Sequence, residues 1–337
     1  MFNFDEKRYI NIQTGAVSMA AEIDKTISNL ISSGSKNLFF LGTGGAGILM
    51  LPAAGLLKSK SKFPTFQCDP AELVLDGNVA LGAGSIVIMP SLSGKTKESI
   101  TALEYCQARG AKVITFTGYA DRPLAQKADY SFVNFGEDDT SSESFYLQSL
   151  LVALSVMKSQ GEFAEYDSVV ADILKLPTVL VQVKSDFEAQ AEKLAQVIAD
   201  HKYHIVSGAG STWAEAFYYG MCILEEMQWI RTRPIHGSDF FHGTLELVEK
   251  DVSVILFKGE DALRPVMDRV ENFVSKISTV VSVIDTKQFK LEGISDLTRT
   301  LISQALLSAV LERVSAHLEH KRNHPLTTRR YYNQMEY

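Results

Sequence analysis

Short apolar runs that end in glycine-rich turns, each followed by a stretch of helical spacing, recur along the whole chain. Asn37-Leu38-Phe39-Phe40-Leu41 leads into Gly42-Thr43-Gly44-Gly45-Ala46-Gly47, and a helical stretch with Pro52 near its start follows. Further apolar runs lie at Phe63–Gln67, Ser85–Met89, Lys112–Phe116 and, more weakly, Ser131–Phe135. They are continuous rather than alternating, as expected of strands buried on both faces. Helical patterns separate them, such as Lys97–Arg109, which Gly110 closes as a C-terminal cap. This alternation predicts a parallel sheet covered by helices on both sides.

The pattern then starts again. Tyr203-His204-Ile205-Val206 runs into Ser207-Gly208-Ala209-Gly210-Ser211, and a helical stretch through Glu225 and Glu226 follows. Later runs come at Val252–Phe257 and Thr279–Ile284. Between the halves, Ser185–Asp200 reads as an amphipathic helix, and Pro177 interrupts the segment before it. Strand, glycine turn and helix thus recur once, about half a chain apart, which predicts a tandem duplication of one α/β unit. A single large doubly wound sheet is the alternative. The expected boundaries are 1–175 for the first unit, 185–320 for the second, and 321–337 for a C-terminal tail.

Length agrees with two units, since 337 residues exceed one domain of ~150. A hydrophobic share of 46% against 22% charged residues is a globular composition rather than a disordered one. The net charge of -7 argues against a nucleic-acid partner, because phosphate backbones demand a basic footprint. Cys68, Cys106 and Cys222 are too scattered for a disulfide framework or a zinc site. The opening segment has no apolar core, and no run approaches the ~18 apolar residues that a membrane span needs. These features together predict a cytoplasmic protein with no membrane partner.

Two loops carry candidate chemistry in the first half. Gly42, Gly44 and Gly47 match G-x-G-x-x-G between a strand and a helix, the context of a dinucleotide fingerprint, and Asp69 follows the next strand. That acid lies further on than the usual ~20 residues, and the second half repeats the turn without its third glycine. A tight turn without a ligand is the other reading. The second loop, Ser91-Leu92-Ser93-Gly94-Lys95-Thr96, follows a strand and opens a helix. Its hydroxyls and backbone N–H groups would converge on the positive end of that helix, which suits phosphate. Ser-Gly-Lys-Thr resembles the end of a nucleoside-triphosphate loop, but Met89 stands where that motif needs its first glycine. A cap cluster without a ligand remains the alternative. In the second half the equivalent strand leads into Lys258-Gly259-Glu260-Asp261, which has no hydroxyl and two carboxylates. One phosphate site per chain is therefore expected.

The second half carries an acid–base pair. Glu226 lies in the apolar, aromatic stretch Ile223–Trp229, surroundings that would suit a general base. His242 follows an aromatic pair in a loop, and histidine exchanges protons near neutrality. Together they could open a sugar ring and move a proton between adjacent carbons. A helix-surface carboxylate and a hydrogen-bonded histidine are the bland alternatives. His201 with His204, and His317 with His320, are three apart without nearby cysteine, and are expected at solvent-facing helix positions.

At these residues the chain resembles the sugar isomerase (SIS) family of phosphosugar-binding proteins. The strand-GTGGAG turn, the S-x-S-G-x-T loop and the E-x-x-W…SDFFHG segment occur in that family's order. The likeness is strongest to fructosamine 6-phosphate deglycases, which act on fructoselysine or fructoseasparagine 6-phosphate, and extends at family level to the isomerase part of glucosamine-6-phosphate synthase. It rests on Glu226–Ile230, on Ile235–Gly243 and above all on the tail His324–Tyr337. The resemblance implies two tandem SIS domains, each a parallel sheet sandwiched by helices in three flavodoxin-like layers. It assigns phosphate to Ser91, Ser93, Gly94 and Thr96, proton transfer to Glu226, and ring opening to His242, usually supplied across a homodimer interface. Gly44, Gly45, Glu72, Arg231, Arg233, His236, Asp239, Arg329, Arg330 and Tyr337 fall at substrate-binding positions by the same likeness, with the tail closing over the site. No cofactor or metal is implied. The partner is a small phosphosugar–amino acid substrate. Ala46 replaces a phosphate-binding serine, Asp239 replaces a glutamate, and Arg231 and Arg233 replace uncharged residues or histidine. One of these arginines could hold the carboxylate of the amino-acid moiety. A ketose–aldose or aminating isomerase, or a non-catalytic phosphosugar-binding protein, are the alternative functions.

Overall fold

A computed structural model describes residues 1–337 except 138, 333, 336 and 337, so Tyr337 lies outside the described residues. The chain divides into two compact units, Glu6–Pro177 and Thr178–Tyr337, the latter joined by Met1–Asp5.

The first unit is built on five parallel strands: β1 (Asn37–Leu41), β2 (Thr65–Cys68), β3 (Ser85–Ile88), β4 (Lys112–Thr117) and β5 (Tyr130–Val133). Their order is β2-β1-β3-β4-β5. The apolar runs were continuous because both faces are covered. Phe39, Val87 and Val113 pack on Ala102, Leu103 and Cys106 of the helix Lys97–Ala108. The alternate residues Leu38, Phe40, Ile86 and Ile88 are equally buried. The long helix Ser141–Ser159 is buried from Ser141 to Met157 and packs on the helices Glu6–Ser18, Ala20–Ser32 and Leu51–Lys60. In this strand order the chain reverses direction across the sheet between β1 and β3, which opens a crevice at their carboxyl ends. The turn Gly42–Gly47 and the loop Ser91–Thr96 both leave from that edge.

The second unit has four parallel strands: β6 (Tyr203–Gly208), β7 (Arg231–His236), β8 (Ser253–Lys258) and β9 (Val281–Asp285), in the order β7-β6-β8-β9. This repeats β2-β1-β3-β4 without a fifth strand. The glycine turns repeat too. Gly44 and Gly210 follow their strands with φ of +60° and +61°, a region that favours glycine. A Cβ on Gly47 would sit 2.2 Å from the Gly42 carbonyl oxygen, and one on Gly208 would sit 2.4 Å from that of Thr212. Close approach of strand and helix requires these glycines, whether or not a ligand is present.

Three sequence expectations change. Residues 231–236, which fall outside the apolar runs read as strands, form the edge strand β7. Charged Arg231 and Arg233 and a proline are tolerated there because one side of an edge strand needs no ladder hydrogen bond. Pro177 does not interrupt a helix; it lies in the first turn of Leu176–Asp200, where its missing N–H costs nothing. His204 and His317 are not at solvent-facing helix positions. His204 is wholly buried on β6, with Nδ1 2.9 Å from Ser253 Oγ. His317 is nearly buried, with Nε2 3.1 Å from Glu188 Oε1 and its ring stacked on Phe2. Phe2 also donates its N–H to Glu188 Oε1 at 2.7 Å and accepts from buried Arg313, which ties the N-terminal residues to the second unit.

Candidate active site

The predicted phosphate loop forms one structure at the carboxyl end of β3. Ser91 is buried and its N–H continues the ladder to the Phe116 carbonyl at 2.9 Å. Gly94 takes φ +63° and donates its N–H to Ser91 Oγ at 3.2 Å. Lys95 N–H reaches Ser93 Oγ at 3.4 Å, and Ser93 is exposed. Thr96 is the N-cap of Lys97–Ala108, yet its hydroxyl makes no capping bond. The result is a hydroxyl-lined turn at the positive end of a helix of 12 residues. Gly44 and Gly45 begin the short helix after the neighbouring strand β1, at the same edge. Glu72 is exposed in the first turn of Pro70–Asp76, after β2.

In the second unit the loop after β8, the counterpart of the hydroxyl loop, turns its Asp261 toward the turn after β6. Asp261 Oδ2 accepts from the Ser211 N–H at 3.0 Å and from its hydroxyl at 2.8 Å. The other oxygen, Oδ1, accepts from the Leu263 N–H at 2.8 Å. An internal carboxylate thus sits at the start of the helix Ser211–Tyr218 and accepts from its first residue. Its neighbour Glu260 is engaged by both arms of Arg299, at 2.8 and 2.7 Å.

Glu226 lies near the end of a π-helix, Tyr219–Met227, that continues Ser211–Tyr218. Such helices are rare and concentrate at functional sites. The apolar surroundings expected for Glu226 are replaced by a charge. Its Oε1 is 3.0 Å from Nε of Arg329, which is held by the carbonyls of Leu326 and Thr328 at 2.6 and 3.2 Å. Glu226 keeps 38% of its side-chain surface and Arg329 only 12%. The guanidinium gives the carboxylate a fixed partner of opposite charge. The buried thiol of Cys222, one turn earlier, is pushed up to about 12 by burial and then by the Glu226 carboxylate.

The residues after Glu226 hold the tail. Buried Gln228 donates from Nε2 to the His324 carbonyl at 2.8 Å, and Arg322 donates to Gln228. Trp229 adopts φ +56°, meets His324 edge-on at 4.6 Å and carries the Arg330 guanidinium 4.2 Å above its ring. The likeness of the two motifs to one family therefore has a physical basis: each is the other's packing partner.

Glu226 and His242 are not brought together in one chain. Thr232 Oγ1 donates to Glu225 Oε1 at 2.6 Å, and Pro234 lies against Gly220, so these β7 residues face the π-helix. Arg231, Arg233 and Ile235 alternate with them and face the other side. There Ile235 packs with Phe240, Phe241 and the helix Arg264–Val274. His242 closes the 3-10 turn Phe240–His242 on that side, exposed, and its imidazole has no hydrogen bond to a described residue. One sheet thus separates the helix of Glu226 from the segment of His242, Arg231 and Arg233. His236, half-buried, accepts from the Ser238 N–H at Nδ1 (3.1 Å), and burial lowers its pKa against the opposing pull of exposed Asp239.

Two parallel sheets of this order, flanked by helices, match the tandem-domain fold of solved phosphosugar isomerase structures. Residues 32–158 match the SIS domain model. Among curated proteins it is 26% identical over 318 residues to fructosamine deglycase FrlB of Bacillus subtilis (strain 168), covering 94% of this chain and 97% of that protein. It is 28% identical over 265 residues to fructoselysine 6-phosphate deglycase of Escherichia coli (strain K12), covering 79% and 74%. A solved structure from Salmonella typhimurium LT2, described as a candidate phosphosugar isomerase, has a TM-score of 0.88 and 27% identity, covering 96% of this chain and 97% of that one. The names of these similar proteins are those of two deglycases and a phosphosugar isomerase. No helix among the described residues is long and apolar enough to cross a membrane.

Sequence reading missed two things here. The bonds of Asp261 to Ser211, 50 residues away, carry no signal in the sequence. The separation of Glu226 from His242 was invisible because it depends on β7, whose charged residues and proline hide the strand.

Proposed function

We propose that the protein is a cytoplasmic deglycase that cleaves a 6-phosphorylated Amadori compound into hexose 6-phosphate and a free amino acid. The observation that carries this reading is the asymmetry of the two equivalent loops: the one after β3 offers hydroxyls, whereas the one after β8 carries two carboxylates bonded within its own unit. That leaves one phosphate site per chain, as a monophosphorylated sugar requires. Ser91, Ser93, Gly94 and Thr96 hold the phosphate, and the Gly44–Gly45 turn borders the sugar.

In the reaction, His242 moves the proton that opens the sugar ring. Glu226, beside Arg329, takes a proton from C1 of the ketoamine and gives the enolamine. Returning the proton to C2 yields the imine of the aldose phosphate. Water adds to C1, the C–N bond breaks, and the amine leaves with a proton. No step needs a redox cofactor. Because a sheet separates Glu226 from His242 within a chain, the site takes His242 from a second copy in a homodimer. Arg231 and Arg233 lie on the His242 side, where they can meet the amino-acid carboxylate.

The test is release of hexose 6-phosphate from a panel of 6-phosphorylated fructosyl- and glucosyl-amino acids. Glu226→Gln and His242→Asn should each abolish it. Mixing the two dead variants through a subunit-exchange step should restore about a quarter of wild-type activity, since one site in each mixed dimer is intact. Activity in Glu226→Gln overturns the base assignment. Turnover of fructose 6-phosphate alone would make the protein a ketose–aldose isomerase instead.

A further inference from the structure

Beside the hydroxyl loop stands an arginine whose hydrogen-bonding capacity is unused. Arg122 follows β4, at the same carboxyl edge of the first sheet as Ser91–Thr96. The chain is fastened to the loop on both sides of it. Gly118 N–H donates to the Leu92 carbonyl at 3.0 Å, and Leu124 N–H donates to the Gly94 carbonyl at 3.1 Å. The stem of Arg122 lies on Gly94 so closely that a Cβ there would be 2.8 Å from Arg122 Cβ. The guanidinium sits 5.3 Å from the centre of the Tyr119 ring.

Among the described residues this guanidinium makes no hydrogen bond, only the Tyr119 ring contact and one long ion pair. Nε is buried without a hydrogen-bond partner. The nearest carboxylate, exposed Asp121, is 3.6 Å away, beyond hydrogen-bonding range. The side chain keeps 34% of its surface, so a ligand can reach it. A buried donor left unpaired is costly, and proteins retain few of them.

We propose that Arg122 supplies the positive charge of the phosphate site, binding the phosphate that the Ser91–Thr96 loop cradles. The proposal rests on the phosphate reading of that loop. The loop itself offers only neutral hydroxyls and backbone N–H groups, apart from exposed Lys95. Such groups suffice for an anion at a helix terminus but discriminate weakly between a phosphate and smaller anions. A guanidinium meets two phosphate oxygens at once, which adds strength and geometry. Gly94 then has a second role besides its turn: only glycine lets the Arg122 stem approach the loop.

The test is calorimetric titration of the full-length protein with glucose 6-phosphate, and with glucose as the unphosphorylated control. Variants are Arg122→Gln, Arg122→Lys and Ser93→Ala, with melting temperatures recorded for each. Arg122→Gln should weaken glucose 6-phosphate binding about ten- to hundredfold, the usual worth of a charged hydrogen bond. Its melting temperature should stay within a degree or two of wild type, and Arg122→Lys should recover part of the affinity. If Ser93→Ala weakens binding while Arg122→Gln does not, the arginine assignment is wrong and the loop reading stands. If neither weakens it, or wild type does not bind glucose 6-phosphate, the loop reading fails and takes the proposal with it. Loss of affinity together with a lowered melting temperature and no recovery by lysine would make Arg122 a structural residue and overturn the proposal.

Discussion

Removing the Asp261 carboxylate should destabilise the second unit by about 2–3 kcal/mol. The figure comes from its three bonds: Ser211 N–H at 3.0 Å, Ser211 Oγ at 2.8 Å and Leu263 N–H at 2.8 Å. Hydrogen bonds to a charged acceptor are worth roughly 1.5–3 kcal/mol when desolvated, and a helix N-cap alone about 0.5–2. Asp261 is only half-buried, so the sum is taken near the lower limits. In Asp261→Ala the helix Ser211–Tyr218 loses the acceptor at its positive end. A unit of this size should melt about 4–12 °C lower. Calorimetry and urea unfolding of Asp261→Ala, Ser211→Ala and the double variant give the coupling between the two side chains directly. A coupling near 1 kcal/mol is expected for the hydroxyl bond. Inorganic phosphate should raise the melting temperature of Asp261→Ala more than that of wild type, because the vacated terminus can take an anion. A loss below about 0.5 kcal/mol, or no coupling to Ser211, would refute the claim that this carboxylate holds the start of the helix.

Two further predictions concern the sheets. His204 is wholly buried with its pKa lowered to about 4, chiefly by desolvation. The unfolded chain therefore binds a proton that the folded one refuses between about pH 6.5 and 4, so stability is full above pH 6.5 and is lost as pH falls through 4. The loss should approach ~3 kcal/mol, and His204→Gln should flatten that part of a urea-unfolding pH series; an unchanged slope would refute it. Gly94→Ala should cost about 1–3 kcal/mol, since its φ is +63° and its new Cβ meets Arg122 Cβ at 2.8 Å. It should also raise the KM for the phosphorylated substrate more than it lowers kcat, and a normal KM would separate the turn from phosphate binding.

The sequence alone determined the architecture and the chemical inventory. Continuous apolar runs such as Leu38–Leu41 and Ile86–Met89 mark strands covered on both faces, and the glycines at 42, 44, 208 and 210 mark where a helix must approach a strand. Both signals are local, because burial and a positive φ act on residue type position by position. The loop Ser91–Thr96 and the motif around Glu226 were legible for the same reason. Tertiary structure decided what each residue faces. β7 was illegible because Arg231, Arg233 and Pro234 carry no strand signal, yet an edge position tolerates them. Only its pleat shows that Arg231 and Arg233 turn away from Glu226 and that His242 lies across the sheet. Partners distant in sequence were equally hidden: Arg329 beside Glu226, Asp261 on Ser211, and Arg122 against Gly94. Composition and spacing fix which groups a chain owns. Which of them meet depends on the packing of whole strands and helices, and that is set by the sum of many contacts rather than by any one motif.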